Sequence, residues 1–222
     1  MLRLLQTIIF FSLISCIPMQ KKQHVIFFGD SITELGINPG GYIMRIDSMC
    51  NREGKGKSFE FTGSGISGNK IYDLYLRMDD DVMAKNPDLV IIYIGVNDVW
   101  HKSLLGSGTD EDKFERFYQA IINKLIERKI KMILCTPAAI GEKTDNSNQQ
   151  DGDLNQYSKT IRSLAQKNDL PLVDLRKAFT GYALKNNPGN KSKGILTYDG
   201  VHLNAKGNQL VADEMWKLIK LY

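Results

Sequence analysis

Five short apolar runs, each followed by a longer segment of helical period, constrain this chain more than any other feature. The runs are His24 to Phe28, Phe59 to Thr62, Leu89 to Gly95, Lys131 to Thr136 and Pro171 to Leu175. Most are continuous rather than alternating, which is the pattern of strands covered on both faces, so they predict a buried parallel sheet. The remaining periodic segments predict helices over Tyr42 to Arg52, Ile71 to Lys85, Asp112 to Arg128, Leu154 to Asn168 and Ala205 to Leu221. In the third, Phe114, Phe117, Ile121, Leu125 and Arg128 follow the three-and-four spacing of one buried stripe, with Glu115, Arg116 and Lys124 facing away. Strand followed by helix, five times over, predicts a three-layer α/β/α sandwich with a five-stranded parallel sheet and right-handed crossovers. At 222 residues and 42% apolar content the chain can bury a core, with no room for a second full-sized domain.

The first fifteen residues read as an export signal, with Arg3 as a minimal basic start and Leu4 to Ile14 as an apolar stretch too short to span a bilayer comfortably. Leu13-Ile14-Ser15-Cys16 resembles the lipobox of bacterial lipoproteins, which implies lipid attachment at Cys16. Ordinary cleavage a few residues later is the alternative. With lipidation, residues 16–23 form a tether and residues 24–222 a domain held at a membrane by the anchor only, facing the periplasm or cell surface. Cys50 and Cys135 then remain as two independent buried thiols. His24, His101 and His202 are too dispersed for a zinc site, and no metal or cofactor is expected. The net charge of +4 comes from Lys and Arg scattered among Asp and Glu without a stripe, so a nucleic-acid partner is not expected.

Open parallel sheets place their sites at the carboxyl ends of the strands. Ser31 follows the first run, Gly68 the second and Asn97 the third. Near the far end, Asp199-Gly200-Val201-His202 supplies an imidazole that could deprotonate Ser31 and a carboxylate three residues before it that could orient the ring. Each residue also has an ordinary structural reading. Ser31 and Glu34 have the spacing of a capping box, Gly68 could supply a positive φ in a loop, Asn97-Asp98 could form a turn, and His202 could be a structural histidine.

The ordered set Gly29-Asp30-Ser31, Ile66-Ser67-Gly68-Asn69, Gly95-Val96-Asn97-Asp98 and Asp199-Gly200-Val201-His202 resembles the four blocks of a GDSL esterase of the SGNH hydrolase family. The resemblance implies the family's flavodoxin-like architecture and an ester hydrolase in which Ser31 is the nucleophile, His202 the general base and Asp199 its orienting carboxylate. It assigns the oxyanion hole to the Ser31 and Gly68 backbone amides and the Asn97 side chain. One departure is Gly63, where many relatives carry an asparagine, so the network supporting Gly68 is expected to differ. Asp30 and Asp98 are expected to bond loop amides rather than catalyse, and Asp79-Asp80-Asp81 to be a solvated face. The runs Gly141 to Gly152 and Asn186 to Gly194 read as long loops, shaping a cleft or connecting elements at the surface.

The substrate is an acylated small molecule or a glycan. A carbohydrate O-acetylesterase fits export and the polar, aromatic loops around Asn38 to Tyr42 and Val99 to Lys102, where Trp100 could carry a sugar ring or pack as core. A lysophospholipase or thioesterase is the alternative within the family, and a non-catalytic glycan-binding module the alternative outside catalysis. Fold alone does not choose among them.

Overall fold

The computed structural model describes residues 21–222, so the predicted leader and Cys16 lie outside the described residues. Five parallel strands, β1 (Gln23–Gly29), β2 (Phe59–Gly65), β3 (Leu89–Tyr93), β4 (Lys131–Cys135) and β5 (Leu172–Val173), form one sheet in the order β2-β1-β3-β4-β5. The helices are α1 (Ser31–Gly36), α2 (Tyr42–Arg52), α3 (Ile71–Asp81), α4 (Val96–Leu105), α5 (Glu111–Glu127), α6 (Asp151–Lys167), α7 (Leu175–Asn186) and α8 (Ala205–Ile219). α2 packs on α8, and α5 lies between α3 and α6, giving the two outer layers of the expected α/β/α sandwich. Burial on both faces explains the continuous apolar runs: Val25 to Phe28 and Leu89 to Tyr93 are all at most 2% exposed. Each such side chain contributes about 1.5–3 kcal/mol by leaving water.

Three expected boundaries shift for identifiable reasons. The predicted helix 71–85 stops at Asp81, because Asn86 takes a left-handed conformation after the 3₁₀ turn Met83–Lys85 and Pro87 follows. The predicted strand 171–175 shrinks to Leu172–Val173, because the Asp174 side chain accepts from the Lys177 amide and starts α7. On α5, Arg128 is exposed beyond the helix end and Phe117 only half-buried, while Tyr118 and Ile122 join Phe114, Ile121 and Leu125 in the core. The stripe is wider than one residue per turn because the helix lies against both the sheet and α3.

Helices α1, α4 and α7 were not expected from the sequence. α1 has only six residues, too few to show a period. α4 carries the polar and aromatic residues of a site, and α7 buries Arg176 among Leu175, Phe179 and Ala183, which blurs its apolar face. Cys50 and Cys135 are free buried thiols, and burial pushes both upward in pKa.

Candidate active site

Gly29 closes β1, and the next residue, Asp30, caps α1 by accepting from the Ile32 amide at 3.0 Å. The capping work therefore falls to Asp30, not to Ser31. That leaves the Ser31 hydroxyl free to meet His202, with Oγ 3.0 Å from Nε2. Glu34, the other half of the expected capping box, accepts instead from the Ser67 hydroxyl.

His202 is delivered by a tight turn. A bridge between Thr197 and Leu203 and the Tyr198 N–H to His202 carbonyl bond at 2.9 Å pinch the backbone there, so the Asp199 carboxylate reaches Nδ1 of the ring. Asp199 Oδ2 is 2.6 Å from His202 Nδ1, and Oδ1 accepts from the Val201 and His202 amides at 2.9 and 2.7 Å. Burial pushes the Asp199 carboxyl up, but the His202 ring and these two amides outweigh it and hold the group below its usual range. An ionised Asp199 places the ring proton on Nδ1 and leaves the Nε2 lone pair facing Ser31, the tautomer a general base needs. The ring is flanked by aromatics: Tyr198 stacks at 5.7 Å with 15° between planes, and Trp100 meets it edge-on at 6.2 Å. Tyr198 is 57% exposed, whereas Trp100 is half-buried and packs against the core.

The loops after β2 and β3 form the facing wall. Gly68 has φ +78°, a conformation that side chains disfavour, as its loop reading anticipated. Asn97, in the first turn of α4, is 3% exposed and donates one N–H of its amide to the Asn69 carbonyl at 3.1 Å, which leaves the second N–H for a ligand. Lys70 is buried beside them, with Nζ 3.4 Å from the Gly68 carbonyl. Burial, then the Lys70 charge, push His101 down in pKa. Asp30 and Asp98 bond backbone amides, but those of helix first turns rather than loops: Ile32 of α1 for Asp30, and Ile71 of α3, at 3.1 Å, for Asp98. Burial pushes each carboxyl up to about 7.

Sequence reasoning missed the two residues that brace this site. Arg77 on α3 donates to Asn69 Oδ1 at 2.7 Å, the Gly29 carbonyl at 2.8 Å, the Ser64 carbonyl at 3.0 Å and the Ser64 hydroxyl at 3.1 Å. Its guanidinium lies over the Phe28 ring and pairs with Asp81. One fork thus ties the ends of β1 and β2 to the loop carrying Gly68. The acidic run is accordingly more than a solvated face, since Asp81 holds Arg77 and Asp79 pairs with Lys124 at 2.9 Å. The i,i+4 spacing of Arg77 and Asp81 signals their pairing, but nothing in the sequence marks the fork's other partners.

Glu142, 5% exposed, accepts from the consecutive amides of Ile195, Leu196 and Thr197 at 2.7, 2.6 and 2.7 Å. The Gly141 amide donates to the Gly200 carbonyl at 2.8 Å, and Asn190 and Asn187 bond the same loop. The two long loops are therefore laced to each other and to the Asp199 turn. Gly63 is explained by packing: a Cβ there would lie 2.4 Å from Ile37 Cγ2. Among the described residues no three His, Cys, Asp or Glu side chains converge as a metal site.

The GDSL-like Lipase/Acylhydrolase family pattern matches residues 27–210. A crystal structure of the acetyl xylan esterase AlAXEase is 60% identical, with a TM-score of 0.87 over 88% of this chain and 99% of that one. An acetylxylan esterase of Geobacillus stearothermophilus is 29% identical over 208 residues, 86% of this chain and 90% of the relative. The crystal structure of Axe2, an acetylxylan esterase from the same organism, is 24% identical with a TM-score of 0.79 over 90% of this chain and 94% of that one, and shows the shared fold. The family match spanning all four sequence blocks, on a parallel sheet that brings those blocks to one end, establishes that the chain belongs to the GDSL-like lipase/acylhydrolase (SGNH) family and is a carboxylic ester hydrolase.

Proposed function

We propose that this ester hydrolase is a carbohydrate O-acetylesterase that deacetylates an extracytoplasmic glycan through Ser31, His202 and Asp199. The observation that carries the reading is the unbroken run of hydrogen bonds from Ser31 Oγ through both ring nitrogens of His202 to Asp199. Ser31 Oγ attacks the acetyl carbonyl carbon as His202 Nε2 takes its proton, and Asp199 stabilises the imidazolium. The carbonyl oxygen becomes an oxyanion that accepts from the Ser31 and Gly68 amides and the free N–H of Asn97. Collapse breaks the bond to the sugar oxygen, which leaves with the proton from His202. Water, deprotonated by His202, then attacks the acetyl-Ser31 ester and releases acetate. Each oxyanion donor is worth about 10²- to 10³-fold in rate.

Support for a glycan comes from the acetylxylan esterases among its relatives and from the rim of the site, where exposed Tyr198 beside His202 offers an aromatic face. Export and attachment at Cys16 rest on the leader sequence. Hydrolysis of p-nitrophenyl esters of increasing acyl length, and acetate release from acetylated xylan, test the reading with Ser31→Ala as control. Activity confined to short acyl groups and to the glycan supports it. A maximum at long chains would sink the glycan assignment, and activity retained in Ser31→Ala would sink the mechanism.

A further inference from the structure

The cations that look scattered in sequence are gathered by the parallel sheet. Every strand starts at the same end, opposite the site, so the segments leading into them share one face. Residues 21–22, 82–88 and 128–131, which lead into β1, β3 and β4, hold six cations against one acid, Asp88. That excess is larger than the +4 of the whole chain. Lys22, Lys85, Arg128, Lys129 and Lys131 are exposed there, and Lys21 pairs loosely with Asp88 at 3.4 Å. Gln23, Asn86, Arg128, Lys129 and Lys131 surround one shallow depression. The C-terminus joins them: Tyr222 accepts from Gln23 Nε2 at 2.7 Å and lies under Lys131, and its neighbour Leu221 is 75% exposed. The acids at this end are Asp88, Glu127, Glu53, Glu60 and Asp169, with Asp80 and Asp81 closing α3, and of these Glu53 is paired with Lys220 and Asp81 with Arg77.

We infer that this basic face docks on an anionic lipid bilayer, with the esterase site turned toward the solvent. Two observations select a bilayer over a soluble polyanion. The proposed tether, residues 16–23, leads into the start of β1, and that start lies on this face. Leu221 adds an exposed apolar side chain among the cations, which suits a headgroup boundary. The inference deepens the proposed membrane tether, and the two separate in experiment. Binding to neutral vesicles reads the tether, and the excess binding to anionic vesicles reads the basic face.

The test is flotation of the full chain with phosphatidylcholine vesicles and with vesicles containing phosphatidylglycerol, for the wild type and for K85E/R128E/K129E. The wild type should prefer the anionic vesicles, and the preference should fade as salt is raised. The triple variant should lose on the order of 100-fold in anionic binding, with neutral binding and p-nitrophenyl acetate hydrolysis unchanged. The milder pair K85Q/K129Q should lose about 10-fold and serves if the triple variant misfolds. Equal binding of the wild type to both vesicles overturns the inference, as does an anionic preference that survives the substitutions. Binding to duplex DNA or heparin without a preference for anionic vesicles overturns it too.

Discussion

Glu142 Oε1 holds the Leu196 amide at 2.6 Å, three residues before Asp199. The same carboxylate takes the amides on either side, so a buried anion fixes the segment that positions Asp199 and His202. Such charge-assisted bonds are short and strong, and the cradle exists only for an acceptor with two free oxygens.

Glu142→Gln should therefore leave backbone amides facing an N–H group, at a cost of about 2–3 kcal/mol. Thermal unfolding should show the loss, and kcat for p-nitrophenyl acetate should fall well below wild type at temperatures where the variant is still folded. Wild-type kcat in a folded variant would show that the turn holds its geometry without this carboxylate.

Asp199→Asn keeps the shape of the side chain but removes the charge that sets the His202 tautomer. A fall of about 10²- to 10⁴-fold in kcat is expected with KM little changed, read from steady-state kinetics on the same ester. Ser31→Ala should abolish labelling by a fluorophosphonate.

Arg77→Lys retains charge but not the fork that reaches Asn69, Ser64 and Gly29 together. We expect a lower melting temperature and a kcat reduced about 10- to 100-fold, because small displacements of oxyanion donors are expensive. Arg77→Lys with wild-type kcat and melting temperature would remove Arg77 from any positioning role.

Asp98 carries a pH signature. Burial pushes its carboxyl from 3.8 up to about 7, against the hydrogen bond from the Ile71 amide. Between those values the folded protein holds a proton that the unfolded chain has released, so this group lowers stability as pH rises through the window, and the loss is complete above about 7. Asp98→Asn should accordingly gain in melting temperature relative to wild type between pH 4 and 8. The gain should be about 2–4 °C for each kcal/mol relieved. Melting curves at both pH values decide it, and a constant difference would mean that Asp98 is ionised throughout.

Tyr198→Ala should reduce acetate release from acetylated xylan far more than p-nitrophenyl acetate hydrolysis, since only the glycan extends sugar units beyond the reacting ester along the exposed face. Trp100→Ala, which removes a half-buried side chain packed against the core, should lower both activities together and reduce stability. Equal losses on both substrates for Tyr198→Ala would exclude it as a glycan platform.

The order and type of the major elements were legible in the sequence because a doubly covered sheet demands continuous apolar strands, and its outer helices demand a one-sided stripe. For the same reason Ser31, Gly68 and Asn97 could be placed at strand exits, and the Asp199–His202 spacing read as one turn, without coordinates. Their roles came from the resemblance of four ordered sequence blocks to a known family, since each residue alone also has an ordinary structural reading. Arg77 and Glu142 lie outside those blocks: a helical arginine and a loop glutamate look like surface residues until partners 13 to 55 positions away, Ser64 and Thr197 among them, are brought against them. The apparent capping role of Ser31 likewise depended on Asp30, whose carboxylate takes the amide first. Periodicity thus determined the layers, and motif order nominated the candidate site residues, since both are properties of the linear sequence. The bracing of the site, the free hydroxyl of Ser31 and the basic face at the opposite end were decided only by the tertiary structure, because burial and strand polarity set which distant charges and hydrogen-bonding groups must meet.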